Sequence, residues 1–286
     1  MKDRQTLSED LKRRAAKAPK QAQVPIAPVP VSDRLPAWPE DSRGVPNAVL
    51  RSALFGVIKR GRRAFMQRQP IAAVDGVGIL FTGPRLDQAD LDVWEECLHI
   101  ARTQDLGTRA QFGARDFLRS IGRHEGGTQI EWLKGAFARL ASSVVEIQDG
   151  KRAYFGPMIH HGTRDDETGL YCIEINPAIV TLYGEDGWTQ TEWTQRQALS
   201  GQPLAQWVHS FYATHARPFG YKVSTIYRLC GSENAQLRGF RRELKEALAR
   251  VAEMTGWGLE IDENDLVQVR KKPTPSQGRH LLRNGK

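Results

Sequence analysis

Two stretches of this chain repeat one another, and the repeat limits what the chain can fold into. One copy runs "VWEECLHIARTQ…TRAQFGARDFLRSIGRHEGGTQIEWLKGAFARLASSVVEI" and the other "AQWVHSFYATHARPFGYKVSTIYRLCGSENAQLRGFRRELKEALARVAEMTGWGLEI". Each reads as an amphipathic helix, a short strand, a shorter helix ending in R-x-x-G (Phe117–Gly122 and Ile226–Gly231), a polar turn, a longer helix and a β-prone run. In the long helices Ile130, Leu133, Phe137 and Leu140 match Leu237, Phe240, Leu244 and Ala247 in spacing, which gives each helix one apolar face. Gly122 and Gly231 stand where a left-handed residue ends the first helix and turns the chain. Helix, glycine turn, helix and hairpin describe a helix-turn-helix followed by a wing. The expected fold class is therefore α+β, with two tandem winged-helix domains and disordered basic tails.

The expected boundaries follow from composition. Residues 1–45 form a basic, Pro-rich flexible tail, with "PKQAQVPIAPVPVSDRLPAWPED" as an extended linker. Residues 46–184 form the first winged-helix domain, 185–272 the second, and 273–286 a basic tail. Asp75-Gly76 between apolar runs signals a hairpin. Residues 1–20 hold seven Lys/Arg against three acids and residues 268–286 hold six against none, so the net charge of +8 leaves about −2 for the body between. Basic tails suit a polyanionic partner through counterion release.

The second long helix carries a sorted charge pattern. At about 100° per residue, Phe240, Leu244, Ala247, Leu248 and Val251 share one face while Asn234, Arg238, Arg241, Arg242 and Lys245 share another. Arg can fork onto guanine or phosphate, and Asn can read adenine with both amide ends. Ser232, Glu233 and Asn234 are expected at the helix start, with Ser232 as N-cap, where backbone N–H groups favour an anion, and Gln236 is a further candidate DNA contact. In the first copy Glu131, Lys134, Gly135 and Ala138 fall where Arg238, Arg241, Arg242 and Lys245 stand, so only Lys134 remains as a candidate contact. The second domain is expected to be the main reader. Asp262, Glu263 and Asp265 at its hairpin tip put unwelcome charge near phosphate; Arg270, Lys271 and Lys272 just beyond are candidate backbone contacts.

Signals for other classes are weak. No G-x-x-x-x-G-K-[ST] loop occurs, and the G-x-G at Gly76–Gly78 is no dinucleotide fingerprint. Adjacent His160 and His161 on a strand are expected to face opposite ways, which disfavours a shared metal. "TRDDETG" (Thr163–Gly169) reads as a hairpin tip. Neither a catalytic site nor a cofactor or metal is expected. No apolar run is long enough to span a membrane, the basic N-terminus lacks the apolar stretch of a secretory signal, and Cys97, Cys172 and Cys230 lie too far apart for a disulfide or zinc pattern. A bacterial cytoplasmic location is the expectation.

"WPEDSRGVPNAVLRSALF" (Trp38–Phe55), "FTGPRLDQADLDVWEECLHIAR", "NPAIVTLYGEDG" and "RPFGYKVSTIYRLCGSENAQLRGFRRELKEAL" together resemble the TrfA family of plasmid replication initiators, over roughly residues 38–272. The resemblance implies an initiator that binds direct repeats (iterons) as double-stranded DNA at a plasmid origin. It also implies help in melting an adjacent AT-rich region, recruitment of host DnaA and the replicative helicase, and an inactive homodimer formed through the first domain. Family members carry a Gln-Leu-x-Leu-Phe-type peptide that binds the host's sliding clamp. Here "QAQVPIAPVPVSDRLPAWPE" holds no such match, so clamp binding through this segment is expected to be weak or absent. Two alternatives remain open from the residues alone: a winged-helix repressor or copy-number regulator that binds the same sites without opening an origin, and a rolling-circle nickase.

Overall fold

The computed structural model describes residues 34–59, 61–106, 109–150, 152–184 and 187–283. The basic stretch 1–33 lies outside the described residues, and with it residues 21–33 of the segment read for clamp binding. Among the described residues the chain opens with β1 (Ser42–Pro46), α1 (Asn47–Leu50), β2 (Phe55–Gly56), the antiparallel pair β3 (Phe65–Pro70) and β4 (Val77–Pro84), and β5 (Leu86–Asp87). The first repeat follows as α2 (Gln88–Ala101), β6 (Arg109–Gly113), α3 (Ala114–Ser120), α4 (Gly127–Ser142), and the hairpins β7 (Val144–Asp149)–β8 (Arg152–Pro157) and β9 (His161–Asp165)–β10 (Leu170–Glu174). A 3-10 helix (Pro177–Tyr183), β11 (Trp188–Glu192) and α5 (Trp193–Ala198) lead to the second repeat: α6 (Pro203–Ala213), β12 (Tyr221–Lys222), α7 (Val223–Leu229), α8 (Leu237–Thr255), β13 (Gly258–Ile261) and β14 (Leu266–Arg270). The last element is α9 (Pro275–Arg283).

The repeat recurs in the sheet topology of this mixed α/β chain. Each copy has a three-stranded antiparallel sheet in which the strand before the helix pair bonds the last strand, and the last strand bonds the middle one: β6-β10-β9 and β12-β14-β13. Local sequence sets the helices between them. Asp87 caps α2, its Oδ1 accepting from Asp90 N (2.9 Å) while Asp90 Oδ2 accepts from Asp87 N (3.1 Å), a reciprocal capping box. Gly122 and Gly231 take φ +73° and +62°, left-handed values that suit glycine and turn the chain between the paired helices. A Cβ on Gly231 would also lie 2.9 Å from the Ala53 Cβ, so this turn is pressed onto the first half of the chain.

Four sequence expectations need correction here. First, "VEI" after α4 is not the counterpart of "LEI" in β13. Strand β7 pairs with β4 over six residues and with β8, in a separate sheet ordered β3-β4-β7-β8. The hairpin β7–β8 is thus an insertion, and β9–β10, with "TRDDETG" across its turn, corresponds to β13–β14. Second, the N-terminal tail does not extend to residue 45. Leu35 and Trp38 are buried, Trp38 stacks on Tyr183, its Nε1 donates to His99 Nδ1 (3.1 Å), and β1 pairs along its full length with β11. Gly44 permits this, because a Cβ there would collide with the Trp38 ring. Third, β11 and Trp193 belong with the first core, so the junction between the halves lies near Leu199 rather than at residue 185.

Fourth, the C-terminal stretch is helical rather than disordered. Thr274 and Gln277 exchange backbone-to-side-chain bonds (3.1 and 3.3 Å) that cap α9, and Gln277 Nε2 donates to Ala213 O (2.7 Å) at the end of α6. None of the α9 residues is buried, and local capping and this tether help to hold it.

Two apolar cores lie under the two repeats, one gathering residues from Leu35 to Trp193 and the other from Leu199 to Val269, with Val57 and Val74 packed against the second. Between them sits a buried charge cluster. Arg196 on α5 is fully buried; its Nε donates to Asp92 Oδ1 (2.8 Å), its Nη1 to Ser210 Oγ on α6 (2.8 Å), and its Nη2 to the Gln88 carbonyl on α2 (3.1 Å). Glu95 Oε2 is 2.9 Å from Arg196 Nε, a charge contact without hydrogen-bond geometry that leaves both Glu95 oxygens without a hydrogen bond. Burial, which outweighs the nearby guanidinium, pushes the Glu95 carboxyl up to about 7.

Candidate nucleic-acid interface

Helix α8 is positioned by its apolar stripe. Phe240, Leu244, Ala247, Leu248 and Val251 are buried against α6 and the β12-β14-β13 sheet, while Leu237, expected in that stripe, is 42 % exposed at the first turn. The opposite side presents Arg238, Arg242 and Lys245 to solvent with no ion pair among the described residues. They run along about 10 Å of helix, seven residues at ~1.5 Å each. Arg241, at the margin, is half-buried and pairs with Asp265 of the β13–β14 turn.

Sequence reasoning placed the helix start too early. Helix α8 begins at Leu237 with Gln236 as its N-cap and no side-chain cap. Ser232 caps nothing; its Oγ accepts from Asn234 N (3.2 Å), and Asn234 Oδ1 accepts from Gln236 N (3.1 Å), side-chain turns that compete with helix. Asn234 Nδ2 donates to Glu243 Oε1 (3.0 Å), so both ends of its amide are engaged by the protein itself. Gly239 explains itself through this contact. A Cβ there would lie 2.9 Å from Asn234 Oδ1, so the mid-helix glycine makes room for the Asn234 side chain. Gln236 remains exposed at the helix mouth.

The turn before α8 is also fixed from outside. Glu233 accepts from Arg85 Nη1 (2.8 Å) and from Lys59 N (2.9 Å), Arg85 Nη2 donates to Gly231 O (2.9 Å), and Tyr227 Oη donates to Asn234 O (2.7 Å). The helix pair of the second repeat is thereby held against the first half of the chain. Glu233 and Arg85 are positioning residues that no local pattern revealed, since they stand 148 positions apart.

The candidate backbone contacts divide. Arg270 is exposed but pairs with Glu260 across the hairpin (3.0 Å), and Lys272 is exposed. Lys271 packs against the protein. Its ammonium lies 5.1 Å from the Trp257 ring centroid and donates to Ala213 O (3.4 Å) and Gln277 Oε1 (3.2 Å), and burial lowers its pKa to about 8. The two lysines should therefore behave differently in DNA titrations against salt. K272A is expected to flatten the slope of log K against log salt by about one, while K271A leaves the slope unchanged and lowers the melting temperature.

The first repeat offers less positive charge on its corresponding helix. On α4, Lys134 is bracketed by Glu131 (3.0 Å) and Asp166 (3.1 Å), which hold its pKa above the ordinary value, Glu131 first. His160, just before β9, His161 on β9 and Glu174 on β10 place one ligand atom each within 4.8 Å of one another. Strand alternation does not separate the two histidines as expected, because His160 precedes β9; its N–H donates to Glu174 O (3.0 Å). Both histidines are exposed, and donor groups at a surface often cluster without a metal.

Comparison with known proteins agrees with this arrangement in fold and in family. Plasmid replication initiator protein TrfA of Escherichia coli is 26 % identical over 274 residues, covering 90 % of this chain and 70 % of that protein. Among solved structures, RctB domains 2–3 align with a TM-score of 0.53 at 12 % identity, over 82 % of this chain and 99 % of that one. A selenomethionine form of domains 2 and 3 of RctB gives 0.51 at 13 % identity, over 76 % and 92 %. At such identities the likeness is one of fold. A family model described as TrfA protein matches residues 4–271, nearly the whole sequence, and the chain belongs to the TrfA family.

Proposed function

We propose that this chain is a plasmid replication initiator that binds direct repeats of double-stranded DNA at a plasmid origin through tandem winged-helix domains, the second of which does most of the reading. In this reading β9–β10 and β13–β14 are the wings, α4 and α8 are the recognition helices, and the domains meet near residue 199. Family membership supports the initiator role; opening of the origin with host DnaA, recruitment of the replicative helicase and an inactive homodimer follow from that membership by analogy.

The observation that carries the reading is the stripe of Arg238, Arg242 and Lys245 on α8, unpartnered among the described residues, beside a paired Lys134 on α4. Like charges at i,i+3 and i,i+4 destabilise an isolated helix by a few tenths of a kcal/mol each. Arg238–Arg242 and Arg242–Lys245 both have such spacing, so the stripe does not serve the stability of the helix. A polyanion in contact with it offsets the repulsion. Two readers on one chain would enter major grooves about one turn, ~34 Å, apart.

The test is selection of duplexes from a random-sequence library by the full chain, followed by footprinting and permanganate probing on the plasmid carrying the matching repeats. Enrichment of one motif, protection of tandem copies and DnaA-dependent permanganate reactivity nearby are expected. Protection without reactivity would mean a repressor, and absence of enrichment would end the sequence-reading proposal.

A further inference from the structure

An acidic residue at the tip of a DNA-facing hairpin calls for a reason, since it repels phosphate. Asp265 occupies this place in the turn between β13 and β14, and several bonds fix it there. Its backbone has φ +62°, a left-handed value uncommon for residues other than glycine but tolerated by Asp and Asn. Its carbonyl accepts from Val223 N (2.9 Å) at the start of α7, and its own N–H donates to Asp262 O (3.2 Å). Asp262 in turn accepts from Asn264 N and Leu266 N (both 2.9 Å) and from Gln268 Nε2 (2.8 Å). The turn thus delivers the Asp265 carboxylate to one place, against Arg241 Nη1.

We propose that Asp265 is a specificity-determining residue that acts through Arg241. The inference rests on α8 being the reading helix. Attraction to phosphate depends on net charge, whereas recognition of a base edge depends on directed donors to neutral acceptors. Arg carries five N–H donors, and the Asp265 contact at Nη1 is a charge contact without hydrogen-bond geometry that leaves Asp265 Oδ1 without a hydrogen bond. Paired with Asp265, Arg241 loses most of its pull on the backbone and keeps donors for a base. Arg241 therefore contributes little to binding of unmatched DNA and its full share to the matched site. Arg238, Arg242 and Lys245, which have no such partner among the described residues, supply more of the attraction common to all sequences than Arg241 does.

The experiment compares full-length wild type, D265N, R241A and the double variant R241A/D265N. Each is titrated with the duplex that wild type selects from a random library and with poly(dI-dC), across a salt series. Asn retains the left-handed turn and removes the charge; D265G, for which φ +62° is unstrained, provides a second version of the same change. D265N is expected to bind poly(dI-dC) about three- to fivefold more tightly, the size of a half-exposed ion pair, with a salt slope steeper by about one. Affinity for the selected duplex should change less than twofold, so discrimination falls. In the R241A background the Asp265 substitution should leave discrimination unchanged.

Equal tightening on both DNAs, or the same loss of discrimination with and without Arg241, would overturn the proposal in favour of simple repulsion. Unchanged binding in both D265N and D265G would overturn it as well. If wild type enriched no sequence at all, the reading of α8 would fail first and this inference with it.

Discussion

Replacing Arg196 with Met is expected to lower folding stability by about 3–5 kcal/mol at pH 7.5, the loss seen when one partner of a buried ion cluster is removed. Arg196 is fully buried, and Met keeps much of its length while leaving Asp92 and Glu95 without their cation. The cluster joins α2 of the first half to α6 of the second through Gln88, Asp92, Ser210 and Gln206, whose amide also lies within 3.3 Å of Asp92. Denaturant unfolding of R196M should therefore show both a lower midpoint and a separation of the two halves into distinct transitions. The loss should shrink near pH 5, where the abandoned carboxyls can take up protons.

Glu95 supplies the companion prediction, with the sign fixed by linkage. Its carboxyl titrates near 7 in the folded chain and near 4.3 when unfolded, so between these values the folded state holds a proton that the unfolded state has released. The group's contribution becomes less favourable as pH rises through that window and levels off above about 7. Buried His209 and His215, lowered to about 3 and about 4, act in the opposite direction: below about 6.5 the unfolded chain gains protons that the folded chain refuses. Wild-type stability alone mixes these effects. The difference between E95Q and wild type isolates Glu95 and should grow by about 2–3 kcal/mol in favour of E95Q from pH 5 to pH 8. A flat difference across that range would show that Glu95 titrates normally in the folded chain.

What the sequence made legible was periodic or local. The paired helices, the glycines at 122 and 231 and the apolar stripe of α8 all follow from spacing within a few residues. The exposed arginines of that stripe also sit where helical geometry puts them. Where strand pairing and the charge cluster were not legible, the deciding partner is far away in sequence. "VEI" and "LEI" are both β-prone runs after a helix, and only pairing of β7 with β4, more than sixty residues earlier, separates them. Arg196 is one more arginine in a polar segment until Asp92, 104 positions back, is folded onto it. Asn234 and Lys271 have the residue types of DNA contacts, and Glu243, Trp257 and Gln277, nearer in sequence, engage them within the protein. Gly239 was the one local hint, since a glycine inside a helix marks a close approach; the group approaching is Asn234.

The stripe on α8 leads to the second large effect. R238A/R242A/K245A is expected to weaken binding to the selected duplex by a hundredfold or more, since each contact contributes about 1–3 kcal/mol. Its salt slope should fall by about two to three, close to one for each cation that meets a phosphate and less where an Arg meets a base. The three side chains are exposed and Ala favours helix, so stability should stay within about 0.5 kcal/mol of wild type, which separates lost contacts from lost folding. The matched control lies on the first repeat, where K134A removes a lysine already shared between Glu131 and Asp166 and should alter affinity less than about threefold. If the two helices contributed equally, K134A would approach the effect of a single substitution in α8, and the assignment of reading to the second repeat would be wrong. If the triple variant bound as wild type does, the basic stripe would be only a solvated face. The single variants then divide the roles: loss of a phosphate contact weakens every duplex alike, whereas loss of a base contact relaxes the selected motif at one position.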